Sequence, residues 1–267
     1  SLQNGTLEEP AITKESVHHL FKYVSGNPLK RPQWFFDANQ QGQGMVDVGT
    51  HLIDLIQWEA FPEVILSKED VEIVSAKQWD TRLTPEMFKK VTGADQFPEF
   101  LQKNVEEGVL KYNCNGEINY KLKGIHAKIS VIWDFEAPEG AGDTHYSIMR
   151  GSKCDVIIKQ GEEEGYKPTL YIKAKNDDIE VFEEGLKKAI NENLNSKYPG
   201  LNLKKLEDNL WTVEIPDKYK VGHEAHFGQV MEKYLKYLVD GQLPEWEVPN
   251  MIVKYYTTTE ALKVAME

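Results

Sequence analysis

Four side chains that could take part in chemistry follow one another in the stretch GQGMVDVGTHLIDLIQW, residues 42–58. They recur at intervals of four, three and four residues: Asp47, His51, Asp54 and Trp58. Successive residues of an α-helix are rotated by about 100°, so in a helix all four lie within an arc of roughly 60°. The apolar residues of the stretch occupy much of the opposite side: Val48, Leu52, Leu55 and Ile56. The pattern predicts a loop at 42–46 and a helix that begins close to Asp47.

An acid followed four residues later by a histidine is a suitable pair for moving a proton. The Asp47 carboxylate can accept a hydrogen bond from the His51 imidazole and so select its tautomer. A histidine held in this way can take the proton of a substrate hydroxyl as a general base. Trp58 offers a flat apolar surface for a sugar ring, and glycines 42 and 44 let a ligand approach the backbone closely.

The same four residues also have explanations without acid–base chemistry. Asp47 is favoured in the first turn of a helix by the helix dipole, His51 and Asp54 suit a solvated face, and Trp58 suits a core. Alternatively, Asp47, His51 and Asp54 could together bind a metal ion. Periodicity alone leaves these alternatives open.

Two other motifs resemble functional signatures, and we reject both. GQG at 42–44 lacks the third glycine of the dinucleotide fingerprint and follows DANQQ, which is no buried strand. HEAH at 223–226 has its histidines three residues apart instead of four, without a third metalloprotease ligand. We therefore expect neither a metal site nor a cofactor-binding residue in this chain. His226 and Trp34 remain candidates for contact with a substrate.

The composition is that of a soluble globular protein. Of the 267 residues, 40% are hydrophobic and 28% charged, which is enough for a substantial core. A net charge of -12 argues against non-specific binding of nucleic acid, and no apolar run reaches the roughly 20 residues that cross a bilayer. Cys114 and Cys154 lie far apart, so a reducing compartment is expected. The cytoplasm is the default, although any targeting signal of a longer parent chain is not visible in this sequence.

Hydrophobic periodicity and turn residues divide the chain into the elements that position the four residues. TKESVHHLFKYVSG (13–26) reads as a short helix capped by Thr13, in which the adjacent His18 and His19 would point in different directions. A strand is predicted around 71–80, with short helices at 84–91 and 97–105. Further strands are predicted at 108–121, 124–136, 144–150, 154–160 and 169–175. A helix at 179–194, strands in LKKL and LWTVEIP, and helices at 223–241 and 249–267 complete the chain.

Consecutive strands joined by short turns indicate an antiparallel meander and not a doubly wound parallel sheet. We predict an α+β fold, with a mainly antiparallel open sheet and helices packed on one face. A single domain covers 1–267 and carries an inserted β-α-β-β unit at 169–215. The strand KISVIWDF places Ile132 on the second face of the sheet, which is therefore not purely polar. Such a face suits partial cover by a second subunit, or by 169–215 folding back.

One motif resembles that of a known family. The spacing G-x-G-x-x-D-x-G-x-H-x-x-D-x-x-x-W, from Gly42 to Trp58, is similar to the C-terminal-domain motif of Gfo/Idh/MocA oxidoreductases, with Gln43 where the family usually has a glycine. RGSKCDVII (150–158) and the final TTTEALKVAME resemble a glycine turn and a closing helix of that family. KESVHHLFKYVSGNPLKRPQWFFD resembles the subgroup called putative oxidoreductase C-terminal domain, often found in gut Bacteroidetes.

The resemblance implies one half of an enzyme. In the family an N-terminal Rossmann domain binds NAD or NADP and supplies the lysine of an E-K-P motif, and neither is seen here; KRP at 30–32 lies in the wrong place. Asp47 and His51 match the catalytic acid and histidine. Asp54 and Trp58 match motif positions that could support helix packing or touch the substrate. The family also implies association of copies through the open sheet face, hence a homo-oligomer.

The sequence thus favours the substrate-binding and oligomerisation half of an NAD(P)-dependent oxidoreductase acting on a sugar-like or cyclitol-like substrate. The fragment alone is expected to be inactive and to bind no NAD or NADP. The alternatives are a carbohydrate-binding module without catalysis, NAD-dependent hydrolysis of glycosidic bonds, and metal-dependent carbohydrate chemistry.

Overall fold

A computed structural model describes residues 1–24, 26–175 and 178–267, without the side chain of His223, and shows a large β-sheet together with several helices. The strands are β1 (Ile12–Phe21), β2 (Tyr23–Val24), β3 (Asn27–Pro28), β4 (Val71–Leu83), β5 (Val105–Glu106), β6 (Val109–Leu122), β7 (Ile125–Glu136), β8 (Thr144–Arg150), β9 (Cys154–Gln160), β10 (Thr169–Ala174), β11 (Asn202–Glu207) and β12 (Leu210–Glu214).

The helices of the described residues vary from one turn to twenty residues. The α-helices are α1 (Ala38–Gln41), α2 (Val48–Ala60), α3 (Pro85–Thr92), α4 (Ile179–Lys188), α5 (Asn195–Lys197), α6 (His223–Asp240) and α7 (Glu247–Met266). Short 3₁₀ segments lie at Gln33–Phe36, Lys68–Asp70, Glu99–Asn104 and Asp217–Tyr219, and a π-helical segment at Ala189–Leu194 continues α4. None of these helices is long and apolar enough to span a membrane.

The large sheet is open and mostly antiparallel, which confirms the predicted α+β class. Nine strands follow the order β11-β12-β10-β9-β8-β1-β7-β6-β4, and β5 pairs with β6 beside them. Every pair in this sheet is antiparallel except β1 with β7. β2 and β3 form a separate two-stranded ribbon.

The prediction of a helix at 13–26 is wrong, since this segment supplies β1 at the centre of the sheet. β1 lies parallel to β7, with Ile12 opposite Ala127, and antiparallel to β8, with Ile12 opposite Met149. The adjacent residues Leu20 and Phe21 are both buried. Seven of the ten residues of β1 are buried, so this strand does not simply alternate apolar and polar residues and its spacing can imitate a helix.

The insertion of β1 also corrects the predicted meander. β6 and β7 form an antiparallel hairpin, and β8, β9 and β10 form an antiparallel run. β7 and β8 follow each other along the chain but are separated in space by β1. Two meanders are therefore joined by a strand from near the start of the chain.

The helices pack on one face of this sheet, as predicted. The main core gathers side chains from β1, β6 and β7 with those of α2, α3 and α7. A smaller core forms around Ile172 of β10 and Val213 of β12, with Ile190 from the segment after α4. Lys14, Ser147, Ile158 and Leu170 lie opposite one another in successive strands, so their side chains point to the same face of the sheet. Both cores therefore lie on that face.

The segment 169–215 has the predicted β-α-β-β order but does not fold back over the second face. Its strands β10, β12 and β11 extend the sheet beyond β9. On the second face the predicted alternation holds, because Ile129, Val131 and Trp133 are buried in the main core while Ile132 points away from it. The described residues of 169–215 therefore leave the second face uncovered.

A close backbone contact fixes where α2 begins. A Cβ atom at Gly44 would lie 1.6 Å from the carbonyl oxygen of Cys114 on β6. One residue later, Met45 is buried against Gly116, where an added Cβ would lie 2.9 Å from the Met45 Cβ. The loop before α2 can rest on β6 only because both strand and loop carry a glycine at the crossing.

Gly44→Ala should destabilise the fold by about 3 kcal/mol or more, because neither backbone at this crossing can move without repacking. The matched control is Gly185→Ala, since Gly185 lies in α4 with no atom within 4 Å of an added Cβ. That change should be neutral or stabilising by up to about 1 kcal/mol. Urea unfolding of the three chains measures both effects, and equal stability of Gly44→Ala and the parent chain would contradict the contact.

Candidate active site

Asp47 and His51 lie at the start of α2, as predicted. Asp47 is the half-buried N-cap residue, and its Oδ2 accepts a hydrogen bond from Nε2 of Gln41 at 3.0 Å. His51 is exposed one turn further along the helix. Asp47 therefore bonds to Gln41 and makes no hydrogen bond to His51, so its predicted contact with the imidazole is not formed in this structure.

Asp54 and Trp58 occupy the next two turns and have different surroundings. Oδ1 of Asp54 accepts a hydrogen bond from Nζ of Lys254 at 3.0 Å, which ties α2 to α7. Trp58 is 55% exposed, so it is not a core residue. Its ring and that of Trp246 lie 5.7 and 5.5 Å from Nζ of Lys233 on α6.

The other two candidates for substrate contact lie apart from the acid–histidine pair. Trp34 is about half exposed in the 3₁₀ segment Gln33–Phe36, and His226 is exposed on α6. Among the described residues, no hydrogen bond or ring contact joins either of them to Asp47 or His51. Trp34 does stand next to Phe35, which packs against the aromatic residues beside Asp47.

A cluster that sequence analysis missed lies beside Asp47. The guanidinium of Arg31 lies 4.4 Å from the ring centre of Phe35 and 5.0 Å from that of Trp133. Burial lowers the pKa of Arg31, while the charges of Asp143 and Asp47 oppose the shift. Burial raises the pKa of Tyr112, and Asp47 adds to that increase. Asp47 therefore shares one electrostatic environment with Arg31 and Tyr112.

A second cluster forms around Asp143, just before β8. Its Oδ2 lies 3.3 Å from Nδ1 of His18, its Oδ1 lies 3.2 Å from Nδ1 of His19, and Lys22 also donates to it. Burial alone would raise the pKa of Asp143, but hydrogen bonds from His18 and Lys22 hold it well below its usual range. His18 further stacks on Trp133, with ring centres 4.9 Å apart.

We expected His18 and His19 to point in different directions, and both nevertheless reach Asp143. That expectation depended on a helix, whereas the segment is strand β1. Val17 pairs with Thr144, so Asp143 comes to lie across from His18 at the end of the paired register. Each histidine then reaches one oxygen of the same carboxylate. A prediction of 13–26 as a strand would have indicated this site.

A strip of buried or partly buried polar groups continues from His18 towards the C-terminal end of α2. Nε2 of His18 lies 3.1 Å from Oγ of Ser16. Lys14 is fully buried, and its Nζ donates to Glu59 on α2 at 2.7 Å and to Ser147 at 2.8 Å. Between them on β8, burial lowers the pKa of His145 to about 4, with smaller effects of Lys14 and His18.

The described residues show no group of three or more His, Cys, Asp or Glu side chains that could hold a metal ion. Asp54, one of the proposed ligands, is instead bonded to Lys254. What the site does provide is an exposed imidazole, a nearby carboxylate, hydrogen-bond donors and aromatic faces. These groups suit the binding of a polyhydroxylated molecule and proton transfer at one of its hydroxyls.

Comparison with known proteins identifies the family. The model of the family "Putative oxidoreductase C terminal domain" matches residues 1–266. The chain belongs to this family. The resemblance to the subgroup called putative oxidoreductase C-terminal domain is thereby confirmed. No curated protein matches the sequence.

Solved structures agree with this assignment. A putative oxidoreductase from Parabacteroides merdae ATCC 43184 is 55% identical, with a TM-score of 0.97 over 100% of this chain and 61% of that chain. A putative oxidoreductase from Erwinia carotovora atroseptica SCRI1043 is 12% identical, with a TM-score of 0.54 over 95% of this chain and 55% of that one. The second likeness shows the fold alone. This oxidoreductase C-terminal domain therefore spans about three fifths of the length of its Parabacteroides relative.

Partly buried His145 gives the domain a pH-dependent stability with a defined direction. Its pKa is about 4 in the fold against 6.5 for a free histidine side chain, so the unfolded chain takes up a proton first as the pH falls. The domain should lose about 2 kcal/mol of unfolding free energy between pH 7 and pH 5 from this residue. Urea unfolding at the two pH values should show a smaller loss for His145→Gln.

The control is His226→Gln, because His226 is an exposed histidine on α6. This variant should lose as much stability as the parent domain between the two pH values. An equal loss in all three chains would show that His145 does not carry the effect.

Proposed function

We propose that this domain is the substrate-binding half of a two-domain NAD(P)-dependent oxidoreductase that acts on a sugar-like or cyclitol-like molecule. The observation that carries the proposal is the exposed imidazole of His51 at the start of α2, one turn from Asp47. The family match supports oxidoreductase chemistry. The nearby Arg31, Tyr112 and His18 supply groups that can bind hydroxyls.

The cofactor does not fit the residues of this domain. In the GQG loop, Gly44 is used for contact with Cys114, so it does not form a cradle for phosphate. A nicotinamide cofactor supplies or accepts a hydride when bound, and the proposal places its binding in a separate domain. The task left to this chain is to orient the substrate and to exchange the proton of its hydroxyl at His51, with Asp47 setting the local charge.

The outward surface of α6 supports a second domain. This helix meets the rest of the chain through Lys233, which contacts Trp58 and Trp246. Val230, Met231, Tyr234 and Leu238 lie within an arc of roughly 100° on another side of the helix. All four are more than half exposed. An apolar helix face of this kind suits contact with another folded domain.

A binding module without catalysis is the second candidate, and one cavity favours it. Trp58, Trp246 and Lys233 line a cavity of about 210 Å³ together with Gln57. Tryptophan rings beside polar groups are suited to stacking on a sugar. In that case the cavity, and not His51, would determine binding.

Replacing His51 separates the two candidates. In the full-length oxidoreductase, His51→Ala should lower the rate of sugar-dependent NAD(P)H formation or consumption by about 100-fold or more, since proton transfer would lose its acceptor. Absorbance of NAD(P)H provides the measurement. His126→Ala is the matched control and should keep full activity, because His126 lies at the start of β7, seven residues from Trp133. Absence of sugar-dependent NAD(P)H turnover in the parent protein, with sugar binding that is kept in His51→Ala and lost in Trp58→Ala, would favour the binding module.

We further propose that copies of the domain associate through the open sheet face. Val17, Ile132, Tyr146, Ile157 and Tyr171 give this face a partly buried apolar band. Charged pairs such as Lys128 with Glu117 lie beside the band, with Nζ and Oε2 3.0 Å apart. A mixed face of this kind suits an interface between subunits.

Light scattering should therefore give at least twice the mass of one chain. Ile157→Lys should shift the mass towards one chain, because an ammonium would be buried at the interface without a partner. Val181→Lys is the control, since Val181 is 63% exposed on α4 at the helical face. A monomeric parent chain at high micromolar concentration would refute the proposal.

A further inference from the structure

Arg31 is held unusually firmly for a residue between elements. Its Nε donates to the carbonyl oxygen of Leu20 at 2.8 Å, and its Nη2 donates to that of His19 at 3.1 Å. The guanidinium also lies against the rings of Phe35 and Trp133, at 4.4 and 5.0 Å. Its position and orientation are thus fixed before any ligand arrives.

The two carbonyl oxygens use only part of what the guanidinium can donate. An arginine side chain has five N–H donors in a planar fork, and the hydrogen bonds found among the described residues use two of them. Lys14, Lys22 and Lys254 each pair with a carboxylate. Arg31 has no such ion pair among the described residues, although it is half-buried.

A half-buried guanidinium without an ion pair lowers the stability of the fold unless an anion binds to it. Cations withdrawn from water are normally paired with an anion, because desolvation disfavours the charge. The electrostatic influence of Asp47 and Asp143 reaches Arg31 without a direct contact. The outer edge of the fork therefore remains able to bind two oxygens side by side.

The location connects Arg31 with the proposed active site. Phe35, which stacks on Arg31, also packs against Tyr112, with ring centres 5.9 Å apart. Tyr112 is two residues before Cys114, where the loop leading to Asp47 rests on β6. Arg31 thus lies beside the start of α2, at the end of the domain that carries Asp47 and His51.

We propose that Arg31 determines substrate specificity by binding a carboxylate of the substrate, which makes the substrate an acidic sugar such as an aldonate or a uronate. The inference rests on the proposed function and names the substrate class of the same site. A carboxylate matches the planar fork with two parallel hydrogen bonds. A phosphate would bring a second charge, and the neighbouring cation Lys22 is already paired with Asp143.

The test compares two probes that differ at one carbon. Methyl α-D-glucopyranosiduronate carries a carboxylate where methyl α-D-glucopyranoside carries a hydroxymethyl group. Calorimetry or ligand-observed NMR with the 267-residue chain should show binding of the carboxylate probe that is at least about 10-fold tighter, the effect of a charge-assisted hydrogen-bond pair. Methyl α-D-glucopyranoside 6-phosphate is the third probe, and preferential binding of it would overturn the carboxylate assignment.

Variants of Arg31 must remove this preference without affecting the neutral probe. Arg31→Gln should bind the two sugars equally, while Arg31→Lys, which keeps the charge but not the fork, should retain part of the preference. Arg82→Gln is the control, because Arg82 is 71% exposed on β4 next to Asp80. Near-ultraviolet circular dichroism checks that the tryptophans keep their packing. If Arg31→Gln does not fold, the Arg31→Lys comparison decides.

The outcomes separate this inference from the proposed function. Equal binding of both probes, binding of neither, or a preference that survives in Arg31→Gln would overturn the role of Arg31. His51-dependent hydride transfer on neutral sugars alone would do the same while leaving the proposed function intact. An Arg31-dependent carboxylate preference without any hydride transfer in the full-length protein would support the inference and refute the proposed function.

Discussion

The arrangement of this domain depends on one crossing of two backbones. Because Gly44 lies against the carbonyl of Cys114, the loop before α2 touches β6 without an intervening side chain. That contact sets the height and direction of α2 over the sheet. It places Glu59 over buried Lys14 on β1, so that the ion pair inside the protein depends on the same crossing. The glycines of the motif therefore act directly on the fold, and they affect the site by positioning α2.

The sequence was informative where local patterns decide the structure. The beginning of α2, the hairpin of β6 and β7 and the two closing helices follow from periodicity, glycines and capping residues. It was misleading for β1, whose neighbours come from more than 100 residues later in the chain. Partners at that distance override local preference and are invisible to a window of a dozen residues.

The sequence likewise predicted only part of the candidate site. Asp47 and His51 belong to one helix and could be found from their spacing. Arg31, Tyr112 and the cluster of His18, His19 and Asp143 come from separate elements, and only the pairing of strands brings them together. In an acidic chain this concentration of histidines and cationic groups around two carboxylates is a local exception to the overall charge. No count of residues along the sequence reveals such an exception.

The exposed face of α6 has a consequence for the energetics of the whole protein. Each large apolar side chain that becomes fully covered contributes about 1.5–3 kcal/mol, and Val230, Met231, Tyr234 and Leu238 all stand more than half exposed on this helix. Whatever binds there adds its burial energy only to the folded state, so the folding equilibrium of the domain is linked to that contact. With a partner bound to α6, the midpoint of thermal denaturation would then depend on the contact at this helix, which carries neither Asp47 nor His51.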